Sequence, residues 1–240
     1  MNSPATDKPV GRRVHFFMAS LKHYVVRLSR LPGVLTPASY IIRRRLPPLD
    51  RATWDREYAA GHWAMLGTLA EMPRYAVIAG YCRSFGDARS LLDVGCGVGK
   101  LAGWICQDRP LRYVGVDLSA VAIERARPSM PAGSRLEVAD AATFDPGETF
   151  DIIVLNEMLY YMEHPDRLLL HYAGFLAPNG VFIISMMRST GSLRVWRHCA
   201  PGVEVRGEVR LRSALTTEWH VWLCRPSARK SLFGVDRAYE

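Results

Sequence analysis

The feature that most constrains this chain is a glycine-rich run near its middle, Leu-Leu-Asp-Val-Gly-Cys-Gly-Val-Gly-Lys at residues 91–100. Its apolar start predicts a buried strand that ends near Asp93, and an amphipathic helix is expected to begin near Lys100. Gly95, Gly97 and Gly99 bring bare backbone close to a ligand. A strand, a glycine loop and a helix in this order predict a cofactor of the nucleoside type.

The spacing of these glycines argues against two common nucleotide-binding loops. A dinucleotide fingerprint would place its third glycine at Lys100, whose side chain would obstruct packing of the helix against the strand. A Walker-type phosphate loop needs a four-residue spacer and a Ser or Thr after its lysine, and the run has neither. The pattern that remains is Asp-x-Gly-x-Gly-x-Gly, beginning at Asp93.

In each of three later segments, residues 112–119, 136–141 and 150–157, an apolar strand pattern is followed directly by polar residues. They place Asp117, Asp140 and Asn156 at or just past strand ends, and ligands of open parallel sheets bind outside the carboxyl ends of the strands. With the glycine loop, these segments resemble the class I S-adenosylmethionine-dependent methyltransferases. Order and spacing match from about Trp54 to Ser185.

The resemblance implies an α/β fold. Its sheet would be Rossmann-like and seven-stranded, with helices on both faces and a C-terminal antiparallel hairpin supplied by the alternating residues near 203–211 and 217–223. It implies S-adenosylmethionine as cofactor and S-adenosylhomocysteine as product. Asp117 would hold the ribose hydroxyls and Asp140 the adenine amino group. The full set of cofactor residues expected is Tyr58, Trp63, Asp93, Gly95, Cys96, Gly97, Gly99, Asp117, Leu118, Asp140, Ala141 and Asn156.

An aromatic segment precedes the glycine loop. Trp54, Tyr58 and Trp63 resemble the family's N-terminal segment, which closes over the methionine end of the cofactor. Aromatic faces attract a sulfonium cation, although the same rings could instead simply close the hydrophobic core. Cys96 is interpreted as a small filler rather than a nucleophile. A helix beginning near Pro73 and burying Tyr75, Ile78, Cys82 and Phe85 is assigned a structural role.

The segment after the fourth predicted strand is the candidate reaction centre. Its Glu-x-Leu-Tyr-Tyr pattern, residues 157–161, is similar to a branch of small-molecule methyltransferases that includes the nodulation-factor N-methyltransferases. Glu157 is interpreted as a base or as an acid that attracts a cationic amine, with interaction with a helix dipole as the alternative. Tyr160 would orient the acceptor, His62 and His164 are alternative bases, and residues 186–202 would form a wall of the acceptor pocket. The acceptor atom is a nitrogen or an oxygen of a small molecule.

Three rival functions are weighed against this interpretation. Nucleic-acid methylation is disfavoured because Asn156 is not followed by the prolines that shape a flipped-base pocket. A non-catalytic partner protein of the same fold would typically have lost the cofactor carboxylates, yet Asp93, Asp117 and Asp140 are present. A membrane-associated lipid or quinone methyltransferase keeps the same chemistry and stays an alternative.

The N-terminal segment is set apart by its charge. Nearly all of the formal net charge of +8 lies in residues 1–50, and apolar residues between 14 and 28 follow a helical stripe. Residues 1–48 are therefore predicted to be a basic amphipathic extension with a proline-rich linker, and residues 49–240 the methyltransferase domain. Residues 12–30 would pack on protein as a lid or homodimer element, lie on an anionic membrane surface, or act as a targeting peptide.

The cysteines predict the cellular compartment and whether a metal site is expected. There are five in 240 residues, an odd number, and none stands in a Cys-x-x-Cys pair or other metal-ligand spacing. Reduced thiols, no metal site and a cytoplasmic location are the expectations. The chain also lacks an apolar run long enough to span a bilayer.

Overall fold

The computed structural model describes residues 50–106, 111–213 and 217–227, and these form a seven-stranded sheet with the strand order β3-β2-β1-β4-β5-β7-β6. The first five strands are parallel, while β7 runs antiparallel to both β5 and β6. This confirms the predicted Rossmann-like sheet and its C-terminal hairpin. The strands are β1 Ser90–Val94, β2 Arg112–Asp117, β3 Arg135–Val138, β4 Phe150–Asn156, β5 Leu176–Met187, β6 Val203–Arg212 and β7 Glu218–Pro226.

Helices connect and cover these strands. In the described ranges the α-helices are α1 Arg51–Ala59, α2 Met72–Ser84, α3 Ala102–Ile105, α4 Ala120–Ala126, α5 Pro165–Ala173 and α6 Thr190–Cys199. A single 3₁₀ turn, Leu159–Tyr161, lies between β4 and α5. The helix after the glycine loop starts two residues later than the sequence predicts. Leu176, expected on the buried side of α5, is instead the first residue of β5 and pairs with Phe150.

The sheet has a core on each face because its central strands are covered on both sides. Leu91 of β1 packs with residues of α2, α3 and α4, while its neighbour Leu92 packs with residues of α5. All five residues of β1 are buried. With both faces covered by helices, the carboxyl ends of the parallel strands are left as the edge where loops can build a site.

The predicted basic extension, its helix over residues 12–30 and the linker lie outside the described residues. Among the helices of the described ranges, none is long and apolar enough to cross a membrane.

Candidate functional site

The glycine loop between β1 and α3 adopts a backbone conformation that explains its composition. Gly95, Gly97 and Gly99 have φ angles of +73°, +55° and +70°, a region that residues with a side chain rarely adopt. A Cβ atom at Gly97 would lie 2.8 Å from the hydroxyl of Tyr58. The loop is tied to β2 by two amides, since Gly95 and Cys96 both donate to the carbonyl of Val116, at 2.8 and 3.0 Å.

Asp117 lies directly beside this loop, at the end of β2. Its Oδ2 accepts a hydrogen bond from the Gly97 amide and its Oδ1 from the Ser119 amide, both at 2.8 Å. Each carboxylate oxygen keeps a second lone pair, so both remain able to accept from a pair of hydroxyl groups. Burial raises the pKa of Asp117, and the two amide hydrogen bonds oppose that rise. Ser119, not Asp117, caps α4, by accepting from the Ala122 amide.

Asp93 is buried at the base of the loop. Its Oδ2 accepts from the Tyr113 hydroxyl at 2.7 Å, while its Oδ1 has no hydrogen-bond partner among the described residues. Burial raises the pKa of Asp93 to about 7, and the charge of Asp117 adds to the rise, whereas Tyr113 and Arg74 oppose it. An acceptor atom without a donor here fits a ligand that brings a positive or hydrogen-bonding group.

The remaining residues expected at the cofactor lie around the ends of β2 and β3. Cys96 is buried, and its Sγ would lie 2.9 Å from a Cβ atom added at Gly115. Burial raises the pKa of this thiol well above its ordinary value, which disfavours a nucleophilic thiolate. Asp140 follows β3 as an exposed carboxylate that accepts from the Ala142 amide. Leu118 and Ala141 are half-buried, directly after Asp117 and Asp140.

Three aromatic rings from α1 and the following turn form a cluster beside the loop. Ring centroids of Trp54 and Trp63 are 5.5 Å apart, and those of Tyr58 and Trp63 are 6.1 Å apart. Burial raises the pKa of Tyr58 well above its ordinary value, with the charge of Asp117 as the next cause, so the hydroxyl stays protonated near the carboxylate. The aromatic cluster therefore lies against the same edge as the carboxylates.

Helix α1 is fastened to α4 at two points. Near its middle, the Asp55 carboxylate accepts from the Ser119 hydroxyl at 2.6 Å and from the Val121 amide at 3.2 Å. At its end, the Arg125 guanidinium donates to the carbonyls of Tyr58 and Ala59. Because Ser119 also donates its amide to Asp117, the first of these contacts links α1 to the carboxylate at the end of β2.

The two histidines expected as alternative bases lie in different surroundings. His62 is half-buried, and its Nδ1 lies 3.0 Å from Oε2 of the buried Glu57. Its partner Glu57 lies near the loop after β4, since burial raises the pKa of Tyr161 and the charges of Glu157 and Glu57 add to the rise. Tyr161 in turn contacts the Trp54 ring, edge to face, at a centroid distance of 5.1 Å. His164 is exposed immediately before α5, where its carbonyl accepts from the Leu168 amide.

Glu157 follows β4 in a conformation that is uncommon for a residue with a side chain. Its φ angle is +61°, and such strain is found disproportionately at functional sites. Its Oε2 accepts from the Tyr160 hydroxyl at 2.8 Å and its Oε1 from the Ser185 hydroxyl at 3.3 Å. Burial raises the pKa of Tyr160 well above its ordinary value, and the charge of Glu157 raises it further. Tyr160 is therefore a stable hydrogen-bond donor to Glu157.

Asn156, expected at the cofactor, belongs to the same hydrogen-bonded group as Glu157. Its Oδ1 accepts from the Ser185 hydroxyl at 2.7 Å and from the guanidinium of Arg74. Arg74 lies on α2, the helix to which the sequence analysis assigned a structural role and in which it did not single out this residue. A signal was present, since Arg74 precedes the buried residues Ile78 and Cys82 at four-residue spacing on the same face of the helix.

The strand order, the glycine loop after β1 and the acids after β2 and β3 define the class I methyltransferase architecture. A family profile described as a methyltransferase domain matches residues 58–228. The chain belongs to this methyltransferase family, and it is an S-adenosylmethionine-dependent methyltransferase, as the sequence predicts.

Two curated proteins and one solved structure illustrate what this chain is similar to. Nodulation protein S of Bradyrhizobium diazoefficiens is 32% identical over 157 residues, which is 61% of this chain and 72% of that protein. Trans-aconitate 2-methyltransferase of Enterobacter is 36% identical over 101 residues, 42% of this chain and 40% of that relative's length. The crystal structure of the N-methyltransferase NodS from Bradyrhizobium japonicum with S-adenosylhomocysteine matches with a TM-score of 0.64 and 20% identity, covering 73% of this chain and 97% of that one.

Proposed function

We propose that the protein transfers a methyl group from S-adenosylmethionine to an amine nitrogen of a small molecule. The observation that carries this choice is the Glu157 carboxylate, held at the end of β4 by the hydroxyls of Tyr160 and Ser185. It lies beside an aromatic cluster, because its donor Tyr160 contacts the Tyr161 ring at 4.7 Å and Tyr161 contacts the Trp54 ring at 5.1 Å. A carboxylate next to aromatic rings favours a cationic partner.

The residues at the ends of β1, β2 and β3 fit the methyl donor. Asp117 has an acceptor lone pair on each oxygen for the ribose hydroxyls, and the Oδ1 atom of Asp93 has no partner among the described residues. Asp140 would take the adenine amino group, while Tyr58 lies against the glycine loop and Trp63 packs on Tyr58. When bound, S-adenosylmethionine supplies an electrophilic methyl group on a sulfonium sulfur and leaves as S-adenosylhomocysteine.

The chemistry of the acceptor follows from Glu157. An amine reaches the site as an ammonium ion at neutral pH, and it must lose a proton before its lone pair can attack. A carboxylate attracts that cation and then accepts its proton, whereas an unactivated hydroxyl would need a stronger base than a carboxylate. The protein's other contribution is to hold acceptor and donor aligned and close together. His62, paired with Glu57, is the alternative proton acceptor, and residues 186–202 stay the expected wall of the pocket.

The names of the relatives support the same choice. NodS is described as an N-methyltransferase, and phosphoethanolamine N-methyltransferase 1 of Triticum aestivum is 32% identical over 110 residues, which is 43% of this chain but only 22% of that protein. Trans-aconitate 2-methyltransferase suggests a carboxylate oxygen as a second kind of acceptor. That alternative is disfavoured here because Glu157 would repel an acceptor of the same charge.

Matched acceptor pairs test the proposal. The full chain would be incubated with S-adenosylmethionine and with glucosamine or glucose, ethanolamine or ethylene glycol, and trans-aconitate, and methylated products would be detected by mass spectrometry. We expect methylation of amines and not of their hydroxyl partners. Transfer to trans-aconitate alone, or to hydroxyl compounds in preference to amines, would overturn the choice of nitrogen.

A substitution at Glu157 then tests its role. Glu157→Gln keeps the size of the side chain and removes its charge, so turnover of the amine should fall at least about a hundredfold, a typical contribution of a general base. Affinity for S-adenosylhomocysteine, measured by calorimetry, should stay nearly unchanged. A variant that turns over as fast as the unmodified protein would remove Glu157 from the mechanism.

A membrane-bound acceptor remains a second candidate because of the positive charge concentrated in residues 1–50. Cosedimentation of the full chain with anionic vesicles, but not with zwitterionic ones, would favour it. Failure to sediment with either would favour a freely diffusing acceptor.

A further inference from the structure

Arg74 is a buried cation that the methyl-transfer chemistry does not by itself require. It lies in the first turn of α2 and its side chain is only 1% exposed. Both circumstances cost free energy, because burial removes water from a charge and the helix N-terminus carries a partial positive charge of its own. An apolar side chain of similar volume at such a position is often as stable or more stable. The arginine therefore calls for an explanation beyond packing.

The contacts of Arg74 lead to the acceptor side of the site. One guanidinium nitrogen donates to Glu71 Oε2 at 2.6 Å, and the other donates to Oδ1 of Asn156, at the end of β4. The same Asn156 oxygen accepts from the Ser185 hydroxyl at 2.7 Å, and Glu157 Oε1 lies 3.3 Å from that hydroxyl, so the two acceptors share its single proton. A continuous chain of hydrogen bonds thus joins α2 to Glu157 and Tyr160 across two strands. The Nε atom of Arg74 has no partner among the described residues.

Charge links Arg74 to Glu157 as well. Burial alone would lower the pKa of Arg74, but the negative charge of Glu157 raises it, and Tyr75 and Glu71 follow in the same direction. The net result is a guanidinium held firmly in its charged form. Its ring neighbours, Tyr75 at 4.7 Å and Trp219 at 5.8 Å from the guanidinium carbon, present aromatic faces that tolerate such a cation.

We propose that Arg74 is a positioning residue of the acceptor site, which holds Asn156 and Ser185 in place and keeps Glu157 as an oriented carboxylate. Asn156 would then serve this network rather than the cofactor. Glu71 pairs directly with the guanidinium and Glu157 acts on it through its charge, so two carboxylates face one buried cation. That balance suits the ammonium group of an incoming amine. This role rests on the proposed function, in which Glu157 receives the proton of the acceptor.

A double-mutant cycle tests the link without any acceptor. The free energy of unfolding in urea would be measured for the full chain, Arg74→Met, Glu157→Gln and the double variant. If the two groups are coupled, Arg74→Met should destabilise the protein less when Glu157 is already replaced by Gln. The combined effect should then deviate from additivity by roughly fivefold or more in the folding equilibrium constant. A role limited to packing or to Glu71 gives additive effects and would refute the inference.

Turnover supplies the second measurement. With an amine acceptor, Arg74→Met should lower kcat about tenfold or more, because Asn156 loses a hydrogen bond from a charged group. The affinity for S-adenosylhomocysteine should fall by much less, through the loss of the nearby positive charge that favours ionised Asp93. Arg74→Lys keeps the charge but not the two-pronged geometry, so its kcat should lie between those of Arg74→Met and the unmodified protein. If Arg74→Met does not fold, the lysine variant takes its place in the cycle. Arg83→Met, at the exposed end of the same helix, is the matched control.

The outcomes separate this inference from the proposed function. If Glu157→Gln retains full turnover, the proposed function fails, while the unfolding cycle still reports whether Arg74 and Glu157 are coupled. If Glu157→Gln is inactive but Arg74→Met turns over normally and the cycle is additive, only the role of Arg74 fails.

Discussion

The two halves of the site are built in different ways. Around β1 and β2 the geometry is set mainly by the backbone, because three glycines adopt left-handed conformations and two backbone amides, Gly97 of the glycine loop and Ser119 after β2, hold Asp117. Around β4 and β5, side chains from α2, both strands and the turn Leu159–Tyr161 make a hydrogen-bonded chain that contains buried charges. A cofactor half of this kind depends mainly on local backbone conformation at the ends of β1 and β2. An acceptor half of this kind depends on charge balance between distant segments.

This contrast implies that affinity for the cofactor and turnover of the acceptor can be changed separately. The strongest test is Asp117→Ala, which removes both acceptor oxygens and leaves the Gly97 amide without its partner. Two hydrogen bonds to a charged group are each worth about 1.5–3 kcal/mol, so affinity for S-adenosylhomocysteine should fall about a hundredfold or more. Calorimetric titration measures this, and Asp87→Ala at an exposed turn is the control. Unchanged affinity would contradict the ribose assignment.

The counterpart in the acceptor half is Tyr160→Phe. The substitution removes one hydroxyl and frees Oε2 of Glu157, so kcat should fall about tenfold to a hundredfold while cofactor affinity changes by less than about twofold. Steady-state kinetics with the amine acceptor and titration with S-adenosylhomocysteine provide the two readings. Tyr81→Phe, at a half-buried tyrosine of α2 whose hydroxyl lies beside Gly207 of β6, controls for loss of a hydroxyl elsewhere. If Tyr160→Phe weakened the cofactor as much as it slowed turnover, the separation of the halves would not hold.

The same contrast explains what could be predicted from the sequence. The strands, the glycine loop and the acids at strand ends are local signals, and the predicted sheet and family are confirmed. The start of α3 lies within two residues of its predicted position, whereas the placement of Leu176 on α5 was wrong, because helix ends are set by hydrogen bonding that periodicity does not resolve. The roles given to single residues within the site remain predictions.

The Arg74 network was not predicted, and the reason is physical. Arg74 and Asn156 are 82 positions apart and meet only because α2 packs on the sheet beside the ends of β4 and β5. No pattern within a short window encodes such a pairing. What the sequence did offer was an arginine on the apolar face of a helix, a buried charge that needs a partner of opposite charge.

A third prediction concerns pH and Asp93. Its pKa in the folded protein is about 7 against an ordinary value of 3.8, so the folded protein holds an extra proton between those values. The free energy of unfolding should therefore fall as pH rises through that window, with a slope of up to about 1.4 kcal/mol per pH unit, and level off above it. Urea unfolding at several pH values, compared with Asp93→Asn, isolates this contribution. An identical slope in both proteins would contradict it.

The affinity for the cofactor should follow the same titration of Asp93, but it should rise with pH where the free energy of unfolding falls. If the cationic cofactor requires the ionised carboxylate, its affinity should rise roughly fivefold between pH 6 and pH 7 and change little above pH 8. In Asp93→Asn that pH dependence should disappear, although affinity at every pH is lower. A pH dependence that survives the substitution would assign it to another group.

The smallest expected effect lies in the fastening of α1, which carries Tyr58 to the glycine loop. Asp55→Ala removes the contacts to Ser119 and Val121, yet Arg125 still holds the end of the helix, so the dissociation rate of S-adenosylhomocysteine should rise only about threefold. Arg125→Met should act similarly, and the two together should exceed the product of their separate effects, because either contact alone can keep the helix closed. Stopped-flow displacement measures the dissociation rate. The control is Glu124→Ala, which removes an exposed carboxylate of α4 that pairs with Arg127. Simple multiplicative effects would mean that α1 is held by its aromatic contacts, and the cofactor half would then depend on backbone geometry and ring packing alone.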